Sequence, residues 1–443
     1  MDKDVLNEGV FFALQEPANV ANPYPLYQRL RSEAPFYWDF VLGGWFLTRY
    51  GDVSAALTDP RLTTENFSFD VSQLPVDLQH GLAPLGRVRK REALYNDAPD
   101  HARLRRPLNR TFNPSAFERL RPGMESLVQK LLTTAERRGS MDLVSDYSDP
   151  IADCMICDLL GLPHPDRAEF IEWCDRLREF VTARRMGYET VLKARVALKS
   201  FEAVRSYVHK MIATRQERFF DDVIGNTLAV EANEVPLTED EILANCVFFL
   251  HAGARNTSAS ITNAVLALLQ HPAQFAHLRQ NAPELTSAAV EELLRYDTPV
   301  QVAIRGVPED IEFAGRFIGP GQLLILLLGA ANRDPEQFAN PNRLDLTRRP
   351  NRHLSFGVGP HGCVGAWMAR FGLAIALEAI LNRQSSFRLG SARLEWNFPA
   401  IRRTVRALPV FVNRLSYNGQ RKRVGRAESP SPKSAKSVST LSF

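Results

Sequence analysis

The sequence predicts a single, mainly α domain with small β-sheets. Most of the 443 residues carry helical periodicity, including one long apolar helix near the middle of the chain. Runs with strand character are few and short. Apolar residues make up 45% and charged residues 23%, which is ample material for a globular core.

The long helix is the clearest element. Thr238-Glu239-Asp240-Glu241 reads as a capping box, and the apolar pattern runs through Ile242-Leu243, Cys246–Leu250 and Ile261 to Leu268-Leu269, stopping at His271-Pro272. At 1.5 Å per residue it spans roughly 45–50 Å, enough to cross a domain. Apolar residues on most faces predict burial. Its middle, Ala252-Gly253-Ala254-Arg255-Asn256-Thr257, breaks the pattern with small residues and a charge. Strands are expected at Gly44–Thr48, Val300–Ile304 and Gln322–Leu328.

Residues 1–414 are expected to form the folded domain. From about Ser416 to Phe443 the chain is rich in Lys, Arg, Ser and Pro, so 415–443 is expected to be a disordered basic tail. No internal repeat is present. A net charge of +4 argues against nucleic acid or an anionic membrane as the main partner, while leaving room for a local basic face. The apolar run Val10–Leu14 is too short for a signal core or a membrane span, so no membrane association is expected. Five cysteines (Cys154, Cys157, Cys174, Cys246 and Cys363) read as free thiols of a reducing cytoplasm. Cys154 and Cys157 lack further ligands at metal spacing and read as helix core.

The segment that carries chemistry is His353-Leu354-Ser355-Phe356-Gly357-Val358-Gly359-Pro360-His361-Gly362-Cys363-Val364-Gly365. Glycines let a loop curl and bring backbone N–H groups close to one sulfur. A helical pattern follows, so Cys363 sits where the helix dipole favours a thiolate, a ligand suited to haem iron. The ordered Phe356, Gly357, Gly359, His361, Cys363, Gly365 series resembles the haem-binding signature of the cytochromes P450 at every fixed position. The resemblance covers about residues 20–414 and implies the P450 fold, haem b as cofactor and Cys363 as the iron ligand.

Other motifs agree in order. Glu292-Leu293-Leu294-Arg295 resembles the family's Glu-x-x-Arg helix, and Arg343 resembles the third member of that structural network. His101 and Arg105, four residues apart on one helix face, resemble propionate ligands, as do Arg305 and His361. Either these groups hold the two haem carboxylates, or they form a solvated basic face. What the resemblance implies for function is monooxygenation of a small organic substrate in specialised metabolism. Electrons would come from ferredoxin and ferredoxin reductase, since the chain carries no flavin or iron–sulfur domain.

One departure is chemical. Where the family has an acid followed by Thr, this chain has Arg255 and Asn256, with Thr257 next. Arginine stays protonated and is a poor proton donor. Arg255, Asn256 and Thr257 are therefore the candidate catalytic residues, under three readings. Thr257 or Ser258 substitutes through a helix bulge; substrate or water supplies the proton; or the chemistry is atypical, such as peroxide-driven oxidation, oxidative coupling or nitration. A ligand-binding or sensing haem protein is the further alternative. Arg255 either faces the pocket, where it would attract an anionic substrate, or turns away to pair with carboxylates.

Overall fold

The computed structural model describes residues 9–65, 69–182, 188–229, 235–282, 285–391, 393–397 and 401–414. The expected tail, 415–443, lies outside them. The chain is mainly helical with small sheets, as its periodicity predicts. The helices that frame the site are α1 (Val76–Lys90), α2 (Asp100–Thr111), α3 (Pro114–Arg138), α4 (Asp149–Leu159), α5 (Arg167–Thr182), α6 (Tyr188–Glu217), α7 (Glu239–Phe248), α8 (Arg255–Gln270), α9 (Thr286–Tyr296) and α10 (Ala366–Leu381).

The expected long helix is interrupted. It is α7, a π-helical turn over Phe249–Ala254, and then α8. A π turn inserts one extra residue and rotates everything after it relative to an unbroken helix. It coincides with the small residues Ala252-Gly253-Ala254, which crowd the widened turn least. The capping box is complete: Thr238 N–H donates to Glu241 at 2.8 Å, and Glu241 N–H donates back to the Thr238 hydroxyl at 3.3 Å. Glu241 also takes Arg103 of α2 at 2.6 Å, which ties the start of α7 to the neighbouring helix.

Every residue from Thr257 to Leu268 is buried, so α8 runs through the core. Three helices approach closely at Gly372 of α10. A β-carbon there would lie 3.0 Å from Met155 of α4 and 3.3 Å from Thr257 of α8. Cys157 is fully buried and Cys154 sits beside it against Asp158 and Arg167; both are free thiols, as are the other three cysteines.

The strands are β1 (Phe36–Asp39), β2 (Gly44–Leu47), β3 (Ser140–Asp142), β4 (Val302–Gly306), β5 (Ile311–Phe313), β6 (Arg316–Ile318), β7 (Leu323–Leu327), β8 (Ser385–Leu389) and β9 (Pro409–Arg414). The four-stranded sheet has order β1-β2-β7-β4, with β7 parallel to β2 and antiparallel to β4. The register sets Arg305 opposite Leu324 and Ile304 opposite Ile325. The three expected strands are β2, β4 and β7, with bounds shifted by two residues or fewer. Among the described residues no helix is long and apolar enough to cross a membrane.

Candidate active site

Cys363 lies just before α10, at the end of a loop folded by its glycines. Gly357 and Gly359 take φ of +62° and +80°, values that side chains disfavour. The loop closes on itself through Cys363 N–H to Phe356 O at 2.8 Å and Gly362 N–H to Gly359 O at 2.9 Å. Burial raises the thiol pKa, opposed by the Gly365 N–H, Arg105 and Arg370, which favour the thiolate. Cys363 itself is exposed to solvent.

Two guanidiniums and two imidazoles gather beside Cys363. His101 and Arg305 are buried, and the His101 and His361 rings lie 4.0 Å apart. Arg105 donates to Gly362 O at 2.7 Å, which fixes it against the cysteine loop. Burial, followed by His101, Arg305 and Arg105, drives the His361 pKa down to about 4; Asp97, 3.7 Å away, opposes this. Burial likewise lowers Arg305, with Asp97 opposing. Burial and Arg105 lower His101. Two guanidiniums and two imidazoles crowded against one carboxylate form a donor set that would gain from two more anions. A haem, with two propionates and an iron seeking a soft ligand, fits this arrangement. The four residues anticipated as propionate ligands therefore come together from α2, β4 and the cysteine loop.

Behind the loop, Glu292 and Arg295 are fully buried and paired at 2.7 and 2.9 Å. Arg295 also donates to Asn332 O and Pro341 O at 2.7 and 2.9 Å. Here the structure corrects the sequence reading. The side chain that completes the network is Arg348, whose Nε donates to Glu292 at 3.1 Å. Arg343 is exposed and contributes its backbone carbonyl. The turn after Pro341 carries the Arg343 side chain outward and brings Arg348 back to the buried carboxylate.

A second support was not anticipated. Arg370 of α10 grips Glu291 through two bonds of 2.7 and 2.9 Å, stacks over Phe356 at 4.5 Å, and shares Glu291 with His353. Burial alone would raise the Glu291 pKa; Arg370 and His353 override it and hold the carboxyl at about 2. Adjacent acids at 291 and 292 point to different arginines, Arg370 for the first and Arg295 with Arg348 for the second, a pattern the sequence contains without ranking.

The structure also decides between the two readings of Arg255. Its guanidinium pairs with Asp149 at 2.8 Å, Asp153 at 3.0 Å and Asp175 at 3.1 Å, on α4 and α5. The pocket-facing alternative, with Arg255 as receptor for an anionic substrate, is corrected accordingly. Thr257 is buried at 3% exposure against Gly372, and the Ser258 hydroxyl donates to Asp149 at 2.5 Å. The Ser258 hydroxyl is thus committed to α4, and the Thr257 methyl is the group that packs toward Gly372. The Asn256 side-chain oxygen is buried with no hydrogen-bond partner among the described residues.

The comparisons with known proteins converge. The family model for cytochrome P450 matches residues 80–389, well over half of the chain. The biotin biosynthesis cytochrome P450 of Bacillus subtilis is 36% identical over 382 residues, covering 85% of this chain and 92% of that protein. The polyketide biosynthesis cytochrome P450 PksS of the same organism is 32% identical over 402 residues, 89% and 96% of the two chains. The solved structure of P450BioI, in complex with an acyl carrier protein ligated to hexadec-9Z-enoic acid, superposes with a TM-score of 0.79 at 34% identity, covering 89% of this chain and 99% of that one. CalO2 gives 0.80 at 30% identity, over 90% and 97%. Together with the cysteine loop and the cradle beside it, these matches establish that the chain belongs to the cytochrome P450 family of oxidoreductase monooxygenases.

Proposed function

We propose that residues 1–414 form a haem b domain that oxidises a small organic molecule of specialised metabolism with O₂. Electrons arrive from a ferredoxin served by a ferredoxin reductase. The observation that carries this reading is Cys363, held before α10 by its glycine loop, with Arg105 bonded to that loop and Arg305 and His101 grouped around His361. Bound there, haem supplies redox chemistry at iron, and a thiolate ligand favours O–O cleavage.

The protein's own part is positioning. Cys363 would ligate the iron, with the Gly365 N–H favouring its thiolate. Arg105 and Arg305 would neutralise the propionates, and His101 and His361, held toward the neutral form, would offer them N–H donors. Phe356 and Gly357 shape the loop, and Glu292, Arg295 and Arg348 hold it from behind. Arg103, Arg105, Arg106 and Arg110 make α2 a basic helix beside the cysteine loop, which suits an acidic electron carrier. The relatives' roles in biotin and polyketide biosynthesis support specialised metabolism. Five free cysteines support a cytoplasmic setting.

A second reading has its own observation. With Arg255 and Ser258 engaged on α4 and α5, the amide of Asn256 stands where the family has its alcohol, and an amide holds a water without readily passing on a proton. Such a site suits an oxidant that arrives already reduced, namely hydrogen peroxide. The deciding experiment is the absorption spectrum of reduced, carbon-monoxide-treated protein, wild type and Cys363→Ala. A strongly red-shifted Soret band in wild type alone is expected; its absence from haem-loaded wild type overturns both readings. Turnover with the ferredoxin system against turnover with peroxide then separates them.

A further inference from the structure

Past Arg414 the chain carries Arg421, Lys422, Arg423, Arg426, Lys433 and Lys436 against a single carboxylate, Glu428. Arg414 ends β9 and pairs with Ser385, the first residue of β8. Ser385 in turn follows the end of α10 at Leu381 by four residues. The basic segment therefore leaves the domain beside the end of the helix that begins after Cys363. A groove of about 420 Å³ runs between that end of α10 and α3, lined among others by Ile375, Glu378, Ala379 and Asn382 on one side and Glu125 and Val128 on the other. Ile375, Ala379 and Val128 are buried and make an apolar floor. Glu125 and Glu378 stand partly exposed above it.

The two carboxylates share one cation at long range. Arg121 lies 3.7 Å from Glu125 and 3.8 Å from Glu378, beyond hydrogen-bond distance, while it donates to Glu118 at 2.8 and 3.0 Å. One guanidinium thus serves three acids. Burial raises the Glu378 pKa; Arg121 opposes the shift, and Glu125 and Glu118 add to it. Arg383, just past Asn382, is engaged by Glu136 at 3.3 Å and by Gln129 O at 2.8 Å. The distance to the basic segment is short. Antiparallel partners stand about 5 Å apart, Ser385 to Asn382 spans at most about 11 Å, and Asn382 to Glu378 rises about 6 Å. Lys422 is eight residues past Arg414, about 26–29 Å of extended chain, which exceeds that whole path.

We propose that the groove between α3 and α10 is a docking site for the chain's own segment 415–423, with Lys422 and its flanking arginines on Glu125 and Glu378. Leu415 and Tyr417, which precede the basic run, match the apolar floor. The contact is an intramolecular strap: it supplies the second cation that the groove's acids lack and fastens the segment along the helix that follows the cysteine loop. It goes beyond the monooxygenase reading and does not depend on the cofactor.

The test uses the haem-loaded full chain and a carbodiimide, which joins a lysine amine to a carboxylate in contact with it; the linked peptides are identified by mass spectrometry. An amide from Lys422 to Glu125 or Glu378 is expected within the monomer, and it should diminish as salt is raised, because exposed ion pairs are screened. Trypsin gives a second readout, since it cuts after Arg421, Lys422 and Arg423. Two exposed pairs together correspond to about fivefold protection, so cutting at low salt should be about fivefold slower in wild type than in Glu125→Gln/Glu378→Gln. At high salt the two rates should agree; the cut sequence is the same in both proteins, so the protease's own response to salt cancels. Equal cutting at low salt, or no Lys422 amide at either glutamate, overturns the proposal. So do amides found only in crosslinked dimers, which would make the occupant a second copy's segment. If the double variant does not fold, as judged by circular dichroism, the wild-type crosslink decides alone.

Discussion

Replacing Arg348 by alanine removes a side chain that reaches back across a loop to a carboxylate with no exposure of its own. Its Nε bond to Glu292 is 3.1 Å and its Nη1 bond to Ala339 O is 2.8 Å. The first is charge-assisted and contributes about 1.5–3 kcal/mol; the second is near solvent and contributes about 1 kcal/mol or less. Glu292 would keep Arg295, the Asp345 N–H at 2.9 Å and the Asn351 amide at 3.1 Å. The loss therefore stays below the ~3–5 kcal/mol of a buried pair broken outright, and about 2–3 kcal/mol is expected. Arg343→Ala leaves the carbonyl that Arg295 and Arg348 use, and exposed changes of this kind cost within about 0.5 kcal/mol. Urea unfolding followed by far-ultraviolet circular dichroism gives the comparison. Haem absorbance is followed in parallel, because a cofactor-bound chain need not unfold in one step. If Arg343→Ala loses as much stability as Arg348→Ala, the assignment of the third network residue is refuted.

The Asp153 pKa is raised to about 6, chiefly by burial and, beyond that, by Asp149 and Asp175; Arg255 opposes the shift. A carboxyl raised in the folded state binds protons there that the unfolded chain releases, so folded stability falls as pH rises from about 4 to about 6 and is level above. Two units correspond to about 3 kcal/mol, so Asp153→Asn should exceed wild type in thermal stability at pH 7 and approach it near pH 4. A difference that does not change with pH, measured by thermal unfolding across that range, contradicts the assignment. Arg305→Gln removes one propionate partner and should speed haem transfer to apomyoglobin by about tenfold or more, with the carbon monoxide band unshifted. Unchanged transfer would remove Arg305 from the cradle.

What could be read from sequence was local. The capping box at Thr238, the three strand runs and the glycine spacing around Cys363 depend on neighbours within a few residues, and each sits where its pattern placed it. The partners of Arg255 are 80 and 102 positions away, on helices whose packing no local pattern encodes. The exchange of Arg343 for Arg348 is of the same kind. Both lie in one arginine-bearing loop, and only its three-dimensional path decides which side chain meets Glu292. The π turn was legible as a disturbance, in the small residues Ala252–Ala254, but not as a specific geometry. His101, Arg105, Arg305 and His361 were found because each belonged to a recognisable motif; Arg348 and Arg370, which grip Glu292 and Glu291, belong to none.

The segment from Pro299 to Gly306 is held on both sides, by residues 401–403 at one end and by β7 at the other. Five residues of extended chain, roughly 16 Å, separate Val300 from Arg305. This stretch works as a ruler: one end is fixed beside the cofactor cradle and the other beside the pairing that carries Arg402. Side chains along it can be exchanged one at a time, and each exchange acts locally. Adding or deleting one residue would instead turn every later side chain to the opposite face of the sheet. New substrate preferences should therefore be sought by substitution in this segment, with its length left unchanged.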